Sequence, residues 1–442
     1  MIEKIHSLVW GNWLLILILS CGIYYSIKIG FKQFNIVSIV KGTLLSKDKH
    51  SNGKHTISPI QTMTTSLSAT MGTGNIVGVA SAIILGGSGA IFWLWISAIL
   101  GMALIYAENY LGTLYKKRLP NGTTIGGACA YLEYGLKSKP LSCIFSILCI
   151  GASFGMGNMA QSNSIATSLK STFNVSKWLT GLIVAVLILL IVFGGVKRIG
   201  NTTQILIPIL SMAYILGALI VILKNISYVD DVFKDILSSA LGIRSVTGGV
   251  TGSIILNAIN IGLRRGIFSN EAGLGSSSIL HSSVENDNPN TMGLWGMLEV
   301  FIDTIVCCTV TALAILTTKC NLLDIQDSTQ LVIQSFNSGL GEYSGVFISV
   351  SISLFAFATL IGWCLCGETC AKYLFGDIGS ILYRVAFVVC IVLGCIMNAQ
   401  KVWILSDIFN GLMAVPNLIG ILLLSKKVVA PKRNSLTISD ST

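Results

Sequence analysis

The chain has 442 residues, 53% of them hydrophobic and 11% charged, with a mean hydropathy of +0.77. A soluble domain carries about 25% charged residues, so this composition excludes an ordinary soluble globule. The formal net charge of +10 does not mark a nucleic-acid binder: Lys and Arg fall in short connections between apolar runs, and no basic patch with interleaved aromatics stands on a soluble segment.

Apolar runs recur along the chain at 8–29, 91–114, 142–169, 178–196, 203–223, 292–317, 345–371, 380–397 and 403–425. A run near 20 residues crosses roughly 30 Å of hydrocarbon as a helix. In the first run, Ile18-Leu19-Ser20-Cys21 has the look of a lipoprotein cleavage site. A single Lys beside Glu3 precedes that run and no soluble domain follows, so it reads as an uncleaved span. Two weaker segments complete the series. One, 62–85, is rich in Thr, Ser and Gly, and the other, 248–281, holds Arg264, Arg265 and Glu271.

Charge parity keeps both weak segments. The 28–60 connection carries Lys28, Lys32, Lys41, Lys47, Lys49 and Lys54 and is expected in the cytoplasm. Lys116-Lys117-Arg118, Lys197-Arg198 and the tail with Lys426, Lys427, Lys432 and Arg433 share that side only if both weak segments cross. The expectation is an all-α integral membrane protein of about eleven spans, N-terminus outside and C-terminus cytoplasmic. After the first span the elements recur at an offset of roughly 200 residues, five per half, and an odd number per half inverts the second half. The expected organisation is a span with a basic loop over 1–60, five-helix repeats over 61–225 and 226–425, and a basic tail over 426–442. The twelve cysteines mostly lie inside apolar runs without CxxC clusters, and read as small packing residues.

The weak segments carry the chemistry. Thr70-Met71-Gly72-Thr73-Gly74-Asn75 is poor continuous helix. In lipid a broken helix survives only where it lines a cavity. Its second half then points N–H groups at a carboxylate, and its first half points carbonyls at a cation. In 262–276, charge at membrane depth marks either a second broken helix with Arg265, Asn270, Glu271 and Gly273 as gate residues, or a cytoplasmic loop obeying the positive-inside rule. Parity and the repeat favour the broken helix, with Glu271 pairing with Arg264 or Arg265.

Four stretches in order, Gly72-Thr73-Gly74-Asn75-Ile76-Val77-Gly78-Val79-Ala80, Gly86-Gly87-Ser88-Gly89-Ala90-Ile91-Phe92-Trp93-Leu94-Trp95, Gly157-Asn158-Met159-Ala160-Gln161-Ser162-Asn163 and Arg265-Gly266-Ile267-Phe268-Ser269-Asn270-Glu271-Ala272-Gly273-Leu274-Gly275-Ser276, resemble the alanine or glycine:cation symporter family. The likeness covers nearly the whole chain. Leu94, where the family usually has Met, is a conservative departure. The resemblance implies a leucine-transporter-like 5+5 inverted repeat with one extra N-terminal span, and coupling to Na⁺ or sometimes H⁺.

It further implies a site. Substrate is expected at Thr70, Gly72, Thr73, Gly74, Gln161, Gly362 and Trp363. Sodium is expected at the carbonyls of Ser68, Met71 and Ala356 and the hydroxyl of Thr359. Asn75 either binds an ion or caps the second half-helix. For Gln161 and Asn163 the competing role is an interhelical hydrogen bond; for Thr359 it is back-bonding to its own helix, and for Trp363 core packing. Glu299 and Asp303, four apart, share a helix face, and with Glu108 and Glu368 serve either a proton or cation relay or structural hydrogen bonds.

The expected function is sodium symport of alanine or glycine into the cell across the plasma membrane by alternating access, with the small amino acid, sodium and membrane lipids as partners and no cofactor besides the coupling ion. A membrane enzyme would need a nucleophile–base pair or a metal motif such as HExxH, and the sequence has neither. A passive channel is the other alternative. Glycine breaks alone do not exclude it.

Overall fold

The computed structural model describes residues 2–44, 59–118, 124–192, 195–242, 251–283 and 288–431. Lys47, Lys49, Lys54, Lys432 and Arg433, used above to orient the chain, lie outside the described residues.

Almost every described residue is helical, apart from one two-residue hairpin pairing Lys117 with Ile125. Among the described residues, seven helical stretches are long and apolar enough to cross a membrane: Ile2–Lys28, Gly89–Leu114, Lys139–Phe173, Arg198–Lys224, Pro289–Thr317, Ser328–Ile396 and Ala399–Leu423. Within Ser328–Ile396, the helix Ser344–Ile396 is two helices meeting at Gly376, whose φ of 67° a residue with a Cβ rarely adopts. Lys177–Val192 is apolar and shorter. Its Leu182, Ile183, Val186 and Leu190 point outward, as helices solvated by lipid require.

Both weak segments are broken helices. The first comprises Pro59–Thr70 and Val77–Gly86, separated by a bend and a tight turn over Thr73–Asn75. The second comprises Thr251–Asn270 and Ser276–Ser282. Its break is enforced by backbone geometry. Gly273 and Gly275 take φ of 89° and 84°, and Glu271 takes φ of 56°, a left-handed conformation that costs a side-chain-bearing residue about 1–3 kcal/mol. The arrangement excludes the cytoplasmic-loop alternative for 262–276, because Leu263, Ile267, Phe268, Ala272 and Leu274 are all buried.

Helices start at Gly89 and Pro289, 200 residues apart, and Lys177–Val192 and the stretch after the Gly376 kink are spaced alike. Some elements lie outside the expected apolar runs or interrupt them: the helices Val229–Ala240 and Ser328–Leu340 are of the first kind, and the π-helical turns Gly155–Met159 and Phe301–Cys308 of the second. All twelve cysteines are free thiols, ten of them buried and Cys143 and Cys390 half-buried.

Candidate functional site

The two breaks meet at the span Pro289–Thr317. Two of its acidic side chains, one helical turn apart and fully buried, each tie both broken helices together. Glu299 accepts from Ser66 Oγ at 2.8 Å on each oxygen and from Thr70 Oγ1 at 3.4 Å, both on the first broken helix. From the second it accepts Ser277 Oγ at 3.4 Å, and His281 Nε2 lies 3.0 Å away. Asp303 Oδ1 accepts from Asn75 Nδ2 at 2.7 Å in the first break, and Oδ2 from Ser269 Oγ at 2.8 Å in the second. Thr304 Oγ1 adds a donor to Asp303 at 2.7 Å.

The open ends of the two breaks differ in what already fills them. At the first, Gln161 Oε1 accepts from Thr73 N at 3.3 Å and Thr73 Oγ1 at 3.1 Å, while Gln161 Nε2 donates to Met156 O inside a π-turn. A neutral amide oxygen thus faces the exposed backbone amide. At the second, the chain supplies its own carboxyl groups. Glu271 accepts from Ser276 Oγ at 2.6 Å and Trp363 Nε1 at 2.7 Å, and Glu108 faces the amides of Gly273 and Gly275. Asn417 Nδ2 bridges Glu108 Oε1 and Gly273 O, and Tyr131 OH donates to Asn417. This corrects the pairing expected for Glu271: its partners are Ser276 and Trp363, and neither Arg264 nor Arg265. Arg265 instead stacks its guanidinium 5.0 Å from the Trp403 ring centre, with Phe268 at 6.0 Å.

The expected substrate residues do not all fill one pocket. A Cβ on Gly72 would lie 2.5 Å from Thr359 Oγ1 and 3.2 Å from Gln161 Oε1, so Gly72, Thr359 and Gln161 converge. A Cβ on Gly74 would meet Ser269 and Phe268 at ordinary contact distances of 3.5 Å and more. Gly362 sits against the backbone of Ala69, 2.9 Å from where its Cβ would be, and serves close approach of two helices. Asn163 donates to Gly394 O and Met397 O, both at 2.8 Å, which is the interhelical role. Thr359 donates to Phe355 O at 3.1 Å. The residues named for sodium divide into two places: Asn75 beside Asp303, and Thr359 against Gly72. Near the first, Asn75 Oδ1 is a buried oxygen with no donor. Glu368 lies apart from the breaks, bound to Arg384 and Ser380.

Above the first break opens a cavity of about 680 Å³ lined by Val77, Ser81, Arg264, Arg265, Trp403 and Asp407, among others. At its rim His6 Nε2 lies 3.2 Å from Asp407 and 3.3 Å from Arg264. Trp403 lines the cavity, and the Phe268 ring, which also lies near Gly74, packs against it with ring centres 4.9 Å apart.

The sequence reading missed Ser66, Ser269, Ser277 and His281. The signal present for the last two was a spacing of four, which places Ser277 and His281 on one face of a helix.

The family model of the sodium:alanine symporter family matches residues 1–436. The sodium/alanine symporter AgcS of Methanococcus maripaludis is 39% identical over 438 residues, spanning 97% of this chain and 95% of that protein. A Bacillus subtilis relative named probable sodium/glutamine symporter GlnT is 37% identical over 425 residues, spanning 96% of this chain and 87% of that one. The crystal structure of MhsT in complex with L-phenylalanine superposes with a TM-score of 0.62 at 14% identity, covering 88% of this chain and 94% of MhsT, which establishes a shared fold. Two broken helices clasped by a neighbouring span, in a chain matched over its length by one family, make this a transporter and not an enzyme: it belongs to the sodium:alanine symporter family.

Proposed function

We propose that the chain imports a small neutral amino acid, alanine or glycine, in symport with sodium, by alternating access around the first break. The observation that carries the reading is the contrast between the two breaks. The second has its positive end occupied by Glu271 and Glu108, whereas Thr73 at the first meets only the neutral oxygen of Gln161. A substrate carboxylate at Thr73 would exchange a long neutral hydrogen bond for a shorter charge-assisted one. Gly72 lets it approach, and Thr70 and Trp363 would complete its surroundings.

Sodium fits the oxygen-rich surroundings. Among the described residues the centre holds the buried carboxyl groups of Glu108, Glu271, Glu299 and Asp303, and each must be neutralised by a proton or met by a cation, a role sodium would fill where the acid is ionised. Asp303 with the donor-less Asn75 Oδ1 supplies hard oxygen ligands at one place; the carbonyls of Ser68, Met71 and Ala356 with Thr359 Oγ1 supply them at another. The two halves, 61–225 and 226–425, would rock as inverted repeats about this centre. With the N-terminus outside, the 680 Å³ cavity is the external vestibule.

Uptake of labelled alanine into proteoliposomes under an inward sodium gradient tests the reading. Saturable uptake that stops when choline replaces sodium supports it, and uptake that ignores sodium overturns it. A competitor panel of glycine, alanine, serine and glutamine decides the substrate; preference for glutamine would move this chain's substrate toward that in GlnT's name.

A further inference from the structure

His281 is a buried base that the symport reading leaves without a task. It is fully inaccessible, as is Glu299, 3.0 Å away. Its other ring nitrogen, Nδ1, has no hydrogen-bond partner. With Nε2–H donated to Glu299, the imidazole keeps one vacant lone pair, and a proton there would break no existing bond.

The place of the pair within the fold gives that vacancy a consequence. The vestibule is lined by Val77 of the second half of the first broken helix and by Arg264 and Arg265 of the first half of the second. Glu299 binds the other two halves. Ser66 and Thr70 belong to Pro59–Thr70, and Ser277 and His281 to Ser276–Ser282. In the rocking cycle proposed above, these are the halves that would part as the side away from the vestibule opens.

We propose that His281 and Glu299 form a proton-binding site that latches these two half-helices together, so that one bound proton holds the side away from the vestibule closed. This rests on the symport reading above. Protonation turns a neutral imidazole beside a carboxylate into an imidazolium–carboxylate pair. The pair's net charge goes from −1 to zero, and its hydrogen bond becomes charge-assisted on both sides. Separating the half-helices then costs more, and by reciprocity an opened inner side holds the proton less tightly. The other titratable groups facing Glu299 are the carboxyl groups of Glu108, Glu271 and Asp303 and the thiol of Cys366. None of them bridges the two half-helices as His281 does.

The test is sodium-driven alanine uptake into proteoliposomes held at equal pH on both sides, stepped from about pH 8 down to about pH 5.5. Wild-type initial uptake should fall by about tenfold in acid, the ratio set by one charge-assisted hydrogen bond. In His281→Gln, which can still donate to Glu299 but cannot hold the extra proton, the profile should be flat. A wild type insensitive to acid, or His281→Gln with the wild-type fall, overturns the latch. Uptake independent of sodium in the wild type overturns the symport reading instead.

Should His281→Gln fail to insert, a second variant decides. The chain has four histidines, so replacing His6, His50 and His55 by Gln leaves His281 as the only imidazole. Its ¹⁵N-histidine spectrum should pass from neutral ring to imidazolium over the same pH range. A ring that stays neutral throughout overturns the proposal.

Discussion

A methyl group on Gly72 would lie 2.5 Å from Thr359 Oγ1, closer than side chains ever pack, and 3.2 Å from the Gln161 oxygen. Overpacking of this kind costs about 1–3 kcal/mol, or roughly ten- to a hundredfold in an equilibrium. Gly72→Ala should therefore cut alanine uptake by at least about tenfold while the protein still inserts. Gly74→Ala should stay near wild type, because its methyl would find only ordinary contacts at 3.5 Å and beyond. Parallel uptake assays on the two variants check this, and equal losses would mean that the turn tolerates no Cβ at either position. Trp363 poses a second residue-scale question, because its indole, proposed above as part of the substrate's surroundings, also donates to Glu271 at 2.7 Å. Trp363→Phe removes the donor but keeps most of the bulk. Leaving the buried carboxyl one donor short costs about 1–3 kcal/mol, so uptake should fall while valine and leucine still fail to compete. Trp363→Ala should lower uptake and also admit those larger competitors. Competition assays on both variants separate the two functions of one ring.

Among the elements, the span Pro289–Thr317 acts as a clasp, and its two acids divide the work. Asp303 holds Asn75 and Ser269, where a donor-less buried oxygen waits beside a carboxyl group. Asp303→Asn keeps the volume and removes the charge. Half-saturation for sodium should rise by about ten- to a hundredfold, the worth of one charge-assisted contact, with alanine uptake recovering at high sodium. Sodium titration of uptake measures it, and an unchanged half-saturation would remove Asp303 from the ion site. Both breaks were legible from sequence, because charge parity required two weakly apolar segments to cross, and Gly72, Gly74, Gly273 and Gly275 sit in the middle of them. The acid pair was legible as a shared face on one helix. What that face would meet was not: Ser66 and Glu299 are separated by 233 residues, and hydroxyls in a serine-rich stretch carry no mark of which one turns inward. Charge pairing misled for a related reason. Glu271 follows Arg264 and Arg265 closely in sequence, but its left-handed backbone turns the carboxyl toward Ser276 and Trp363, while Arg265 stacks on Trp403.

At the scale of the whole molecule, the vestibule and the N-terminal segment share one face, since His6 sits at the cavity rim between Asp407 and Arg264. In the orientation expected from the lysine-rich connection after the first span, that segment would lie outside the cell. The cavity should then take up a reagent that cannot cross the membrane. Ser81, half-buried on its wall, is a suitable reporter once changed to cysteine. The background is low, because ten of the native thiols are buried and two are half-buried, and the wild type provides the blank. Ser81→Cys in right-side-out vesicles should react with a membrane-impermeant maleimide. Sodium with alanine should slow that reaction, because loading favours states in which the site is closed off from the vestibule. Sodium alone should slow it less, if alanine supplies part of the closing contact at the first break. Labelling only in inside-out vesicles would reverse the orientation and make the cavity a cytoplasmic one. Labelling from outside at a rate indifferent to both sodium and alanine would detach the vestibule from the transport cycle, leaving the first break to be reached by another route.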